Sequence, residues 1–323
     1  MKVVHKKDIE IAYKNIKDDI LKTPLVHSPK LSAISGANVY LKMEHLQITD
    51  SFKIRGVLTK LKSINKKDFN KTFVAASTGN HAAAFGYASD KFGFKGKLFL
   101  PKNIREEKLT GISKYAFETV LYGNSSMETE RKAREYAKEI DGVLIHPYND
   151  PEIIKGQGTI AIEIAEQFPE VDTVIVPIGG GGLISGICSY FSENKNVTIV
   201  GSQPINASEM EQSIKINKIV SPSKYSTIAD AAAGGIEENS LTFIICKKHL
   251  SHVETIKEED IKKAVAFLYK FHETTVEPTA ALPVAALLNG DKYRNKNVVV
   301  VLTGKKINKQ LLTEINKNYG DCY

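Results

Sequence analysis

Residues Ser51 to Gly56 read Ser-Phe-Lys-Ile-Arg-Gly, and Gly179 to Gly182 form an unbroken run of four glycines between an apolar strand pattern and an apolar helix pattern. The two segments carry complementary chemistry. The ε-amine of Lys53 can condense with an aldehyde, and consecutive glycines let backbone N–H groups close around an anion where the next helix begins. A small molecule with an aldehyde and a phosphate would use both. No frame through Gly179 to Gly186 puts glycines at the first, third and sixth positions of a dinucleotide fingerprint, and no lysine follows in the P-loop position. A plain strand-to-helix turn is the bland alternative, but four glycines cost chain entropy that a bound phosphate would explain.

Four further segments stand in order around these two: Glu44-His45-Leu46-Gln47, Ser77-Thr78-Gly79-Asn80-His81, Glu277-Pro278-Thr279 and Leu302-Thr303-Gly304. On these motifs the chain resembles, over nearly its whole length, the fold type II pyridoxal phosphate enzymes, in particular the threonine and serine dehydratase and serine racemase family. The resemblance implies roles residue by residue. Lys53 would hold pyridoxal 5'-phosphate, with Phe52 against its ring. Gly179, Gly180, Gly181, Gly182 and Leu183 would take its phosphate, Asn80 the ring hydroxyl and Thr303 the pyridine nitrogen, with Glu277 as a nearby carboxylate. Ser77, Thr78, Gly79, Asn80 and His81 would form the loop that holds the substrate carboxylate.

Local alternatives exist for several of these residues. Ser77 or Thr78 reads equally well as a helix N-cap, Pro278 as the first residue of a helix, and Thr303 as a strand-end hydroxyl satisfied by backbone. Metal-activated relatives use two carboxylates and a carbonyl, and the matching positions here are Gln203, Ala207 and Glu209. Gln203 removes one formal charge, so divalent-ion activation is expected to be weak or absent. His249 and His252 lack an evident acidic cluster and read as surface residues.

The activity implied is a lyase reaction converting a β-hydroxy amino acid to a 2-oxo acid and ammonia, with Lys53 as base and Thr78 facing it across the substrate. A serine or other amino-acid racemase is the alternative on the same scaffold. Replacement enzymes such as cysteine synthase fit less well, because their asparagine loop continues with threonine where this chain has His81. A non-catalytic anion-binding α/β module is the alternative from a different class.

The 323 residues, 42% of them hydrophobic, suffice for one large core or two moderate ones. The net charge of +7 comes from 44 basic and 37 acidic residues spread along the chain, which argues against a nucleic-acid stripe. Three cysteines with no C-x-x-C pair fit a reducing compartment and no structural zinc. The charged start, Met1 to Asp8, has no signal-peptide core, and a cytoplasmic homo-oligomer, dimer or tetramer, is expected. Thr173 to Ser192 is uncharged and about long enough to span a bilayer, but Pro177 and the glycines would leave its backbone unpaired in lipid, so it reads as buried core.

Short apolar runs alternating with helical patterns predict an α/β fold of parallel βαβ units. Strands are expected at 39–41, 73–76, 97–100, 119–122, 173–176, 197–200 and 298–302, and an amphipathic opening runs through Ile9, Ala12, Ile16 and Ile20. Helices are expected at 54–62, 82–92, 128–140, 153–168, 183–191 and 258–271. The resemblance implies a tryptophan synthase β-like pair of open twisted sheets flanked by helices, with a small domain at 72–149 inserted in a large one formed by 1–71 and 150–323. The segment beyond residue 305 is expected to be too short for the regulatory domain of biosynthetic threonine dehydratases.

Overall fold

The computed structural model describes residues 3–223 and 225–323. Ten strands are β1 (Leu25–His27), β2 (Asn38–Lys42), β3 (Phe73–Ala76), β4 (Gly96–Leu100), β5 (Phe117–Leu121), β6 (Val143–Leu144), β7 (Thr173–Pro177), β8 (Thr198–Pro204), β9 (His252–Ile256) and β10 (Asn297–Val301). They form a six-stranded sheet in the order β1-β2-β10-β7-β8-β9 and a four-stranded sheet in the order β5-β4-β3-β6. Only β1 with β2 is antiparallel. Every residue of β3 and β7 is buried, as strands covered on both faces require.

The helices that follow the strands fill both sides. They are α1 (Lys6–Ile16), α2 (Pro29–Ser35), α3 (Lys53–Lys62), α4 (Asn80–Phe92), α5 (Glu106–Ile112), α6 (Ser126–Glu139) and α7 (Pro151–Gln167). Then come α8 (Gly182–Phe191), α9 (Glu209–Ile216), α10 (Leu241–His249), α11 (Glu258–His272), α12 (Pro278–Leu288) and α13 (Lys309–Tyr319). Helix α7 starts firmly because the Asp150 side chain accepts from the N–H groups of Glu152 and Ile153, with Pro151 in the first turn.

Two glycine contacts fix the helices that matter for the site. A Cβ on Gly156 of α7 would stand 2.5 Å from the Arg55 carbonyl oxygen of α3, and one on Gly186 of α8 would stand 2.5 Å from the Gly158 nitrogen of α7. The backbones of α3 and α8 therefore both lie directly on α7.

A charged core sits beside this contact. The Arg55 guanidinium pairs with Glu44 at 2.7 Å and with Glu163 at 2.7 Å, and Lys42 Nζ pairs with Glu163 at 2.6 Å, all with side chains 0% exposed. Two cations and two anions balance. Burial alone would raise the Glu44 carboxyl, but Arg55 holds it below its ordinary value.

Some local expectations shift. The strand expected at 119–122 runs Phe117–Leu121, because it is an edge strand whose register is set by pairing Gly96 with Phe117. Strand β8 extends to Pro204, since its polar end is buried against β9. The opening helix stops at Ile16 and continues as a short 3-10 turn over Lys17–Asp19. His252 does have an acidic partner: its Nε2 lies 2.9 Å from Glu254 and 3.2 Å from the Tyr293 hydroxyl. No helix among the described residues is long and apolar enough to cross a membrane.

Candidate active site

Three strand ends converge. The loops after β3, β7 and β10 line one cavity of about 760 Å³, at the carboxyl edge where open α/β sheets bind ligands. Phe52, Lys53, Ser77 to His81, Gly179 to Leu183, Glu277 and Thr303 all line it, whereas Gln203, Ala207 and Glu209 do not.

Lys53 is the first residue of α3. The preceding turn is pinned to the end of β10, with Phe52 N–H donating to the Thr303 carbonyl at 3.2 Å and Ser51 bridged to Gly304. Lys53 Nζ donates to the Pro147 carbonyl at 2.8 Å and lies 5.2 Å from the Phe52 ring centroid. Burial pushes the amine down to about 8, against the opposing pull of Glu130 and Glu277. The positive end of α3 acts in the same direction. About a tenth of the amine is then uncharged at pH 7, far more than for an ordinary lysine, which suits a nucleophile or base.

The glycine run turns the chain from β7 into α8. Gly181 has φ +87°, a conformation that favours glycine. Among the described residues, no protein acceptor takes the N–H groups of Gly180 to Leu183, which are the free donors of a helix start. Packing also demands these glycines. A Cβ on Gly180 would meet the Tyr148 ring at 2.4 Å, and one on Gly179 would meet the Ala231 carbonyl oxygen at 2.9 Å. Packing alone thus accounts for glycine at these positions, and it is the free N–H donors that suit an anion.

Further polar groups line the same cavity. Asn80 Nδ2 donates to Glu277 at 2.8 Å while its Oδ1 is buried without a partner, and the Thr303 hydroxyl is likewise buried and unpartnered. Backbone therefore does not satisfy Thr303. Burial raises the Glu277 carboxyl to about 7, partly offset by the Asn80 donor. Glu277 is the N-cap of α12 with Pro278 at its first position, so the helix-start reading of that proline holds too.

In the loop after β3, neither Ser77 nor Thr78 is the N-cap. Gly79 holds that position, and the Ser77 hydroxyl accepts from the Gly79 N–H at 3.2 Å. His81 Nε2 is bound to the Ile145 carbonyl at 2.8 Å, and burial together with Lys53 pushes the ring down to about 3. It stays neutral and cannot meet a carboxylate as a cation.

Sequence reasoning missed one wall of the cavity. Glu130 on α6 lines it, and an oxygen of Glu130, a nitrogen of His146 and an oxygen of Glu237 lie within 4.8 Å of one another. Glu237 accepts from Arg134, from His146 at 2.9 Å and from Asn149 at 2.9 Å. No local sequence pattern marks Glu130, His146 or Glu237. These residues come together only through tertiary packing.

At the positions compared with metal-activated relatives, Gln203 Nε2 lies 3.3 Å from the Ala207 carbonyl, and Glu209 accepts from the Ser223 N–H at 2.8 Å. An amide donor thus faces the carbonyl that a cation would need.

Comparison with known proteins gives consistent matches. A sequence profile described as pyridoxal-phosphate dependent enzyme matches residues 16–304. The chain is 35% identical over 309 residues to an L-threonine ammonia-lyase of Thermotoga maritima, covering 95% of this chain and 77% of that protein. It is 34% identical over 307 residues to a serine racemase of Arabidopsis thaliana, covering 93% and 92%. The crystal structure of the Dictyostelium discoideum serine racemase superposes with a TM-score of 0.87 at 30% identity, covering 95% of this chain and 100% of that one.

The unfilled groups fit such a cofactor. An amine at Lys53 suits its aldehyde, free N–H groups at 180–183 its phosphate, Asn80 Oδ1 its ring hydroxyl and the Thr303 hydroxyl its ring nitrogen.

Proposed function

This chain belongs to the pyridoxal-phosphate dependent enzymes, and from that we propose that it is a threonine/serine dehydratase, releasing ammonia and a 2-oxo acid from a β-hydroxy amino acid. The observation that carries the reading is the desolvated Lys53 amine, lowered to about 8, in one cavity with a neutral, unpartnered Thr303 hydroxyl.

Lys53 would hold the cofactor, the N–H groups of Gly180 to Leu183 its phosphate, and Thr303 its ring nitrogen. Bound there, pyridoxal phosphate supplies an electron sink that acidifies the Cα–H bond. Lys53 would remove the Cα proton. Thr303 carries no charge, and a neutral partner at the ring nitrogen would favour loss of the β-hydroxyl. The enamine that leaves hydrolyses to the 2-oxo acid and ammonia.

Racemisation is the second reading, and Thr78 favours it. Its hydroxyl lines the cavity with Lys53, and a second acid/base group on the opposite face is what inversion needs. Its methyl group stiffens χ1 and limits how the oxygen can turn. The test measures D-serine by chiral chromatography beside pyruvate by coupled assay, for the parent, Thr78→Ala and Thr78→Ser. Pyruvate should dominate in the parent. Faster D-serine formation, abolished selectively by Thr78→Ala, would replace the dehydratase reading. Ammonia release from threonine, serine and 3-hydroxyaspartate ranks the substrates.

A further inference from the structure

Two carboxylates this close cannot both ionise cheaply, and the surroundings decide which one keeps the proton. Glu237 collects three donors, from Arg134, His146 and Asn149. Glu130 has no hydrogen-bond partner among the described residues and faces the cavity that Lys53 also lines.

The cluster is not a metal site. His146 Nδ1 accepts the N–H groups of Tyr148 at 3.1 Å and Asn149 at 2.7 Å, so its proton sits on Nε2 and is given to Glu237. The nitrogen facing the cluster is a donor. Arg134 supplies the balancing positive charge.

We propose that Glu130 is a further catalytic residue, a carboxylic acid that gives its proton to the departing β-hydroxyl as water forms. The role rests on the dehydratase reading. Lys53 takes the Cα proton and the C–H pair becomes the Cα=Cβ bond. The C–O pair leaves with oxygen, which takes the Glu130 proton. The protonated Lys53 then returns its proton to the Glu130 carboxylate, so both groups are reset. Among carboxylates, Glu130 acts most strongly on the Lys53 amine. Burial and the Glu237 charge push Glu130 up to about 8, while Lys53 of α3 and Arg134 of α6 oppose that. His146 and Tyr148, in the segment after β6, complete its titratable surroundings and stay neutral near pH 7, because burial disfavours their charged forms.

The test compares parent and Glu130→Gln holoenzyme on L-serine and on β-chloro-L-alanine, whose chloride leaves without a proton. Glu130→Gln should lose about 100-fold in kcat on serine, the scale of general acid catalysis, and at least about tenfold less on β-chloro-L-alanine. Retained turnover of the chloride also reports a folded site. Equal losses on both substrates overturn this role alone, whereas a parent that releases no ammonia from either overturns the dehydratase reading and this role with it. Carboxyl-carbon NMR of ¹³C-glutamate-labelled holoenzyme gives an independent readout. The resonance missing from Glu130→Gln should titrate above pH 7 in the parent and about a unit or more lower in Glu237→Gln. Titration near the ordinary glutamate value in the parent overturns the assignment.

Discussion

Arg55 stands two residues after Lys53 on the same helix, and its guanidinium is clamped between Glu44 and Glu163, with every partner fully buried. The lysine that lines the cavity thus sits on a helix whose underside is bolted to the 3-10 turn after β2 and to α7. Removing one member leaves an uncompensated buried charge. Glu163→Ala should cost about 3–5 kcal/mol in denaturant unfolding, and the exposed Lys22 and Glu166 pair, tested by Lys22→Ala, less than about 1 kcal/mol. Similar losses for both would show that the network carries no special weight.

Gly180 offers a way to separate packing from anion binding. Its Cβ would collide with the Tyr148 ring, so Gly180→Ala should lower both thermal stability and cofactor affinity. Adding Tyr148→Val makes room. Stability should recover while cofactor affinity stays reduced, read by unfolding and by cofactor titration. Recovery of both would mean that glycine is needed there for packing alone.

Two buried histidines predict acid sensitivity. Burial lowers His81 to about 3 and His45 to about 4, from an ordinary value of 6.5. The unfolded chain takes up protons on both below pH 6.5 and the folded chain does not, so stability present above that pH drains away as pH falls toward 4. Each histidine contributes a slope of at most about 1.4 kcal/mol per pH unit. In urea unfolding between pH 6.5 and 4.5, His81→Gln should flatten the loss. An unchanged slope would contradict a neutral buried ring.

Gln203 turns its amide nitrogen toward the Ala207 carbonyl, so chelator should change activity little. Gln203→Glu restores a carboxylate near Glu209, and calcium or magnesium should then raise the thermal midpoint of the variant but not of the parent. Loss of parent activity in EDTA, restored by magnesium, would reverse this expectation.

The parts legible in the sequence were those written locally. Apolar runs gave the buried strands β3, β7 and β10, and the lysine and glycine segments lie on one cavity because both are short turns at strand or helix ends. Strand β9 escaped notice because His252 to Ile256 is a half-polar edge. Glu130, His146 and Glu237 escaped because spacings of 16 and 91 residues in one chain carry no local signal of contact. The reason for the glycines was also hidden, since Tyr148 meets them only after folding.

Helix α7 carries two helices of the cavity wall without lining the cavity itself. Lys53 rides on α3 and the anion turn opens α8, and each rests on α7 through a glycine contact too tight for a methyl group. The helix is therefore a gauge block, fixing the span between amine and N–H cradle to the length of one ligand. Gly158 is 2.9 Å from the Gly186 carbonyl oxygen at its would-be Cβ, so Gly158→Ala should widen that span. Weakened cofactor binding with the cavity residues all intact would be the mark of a lost gauge, and unchanged binding would show that the span has slack.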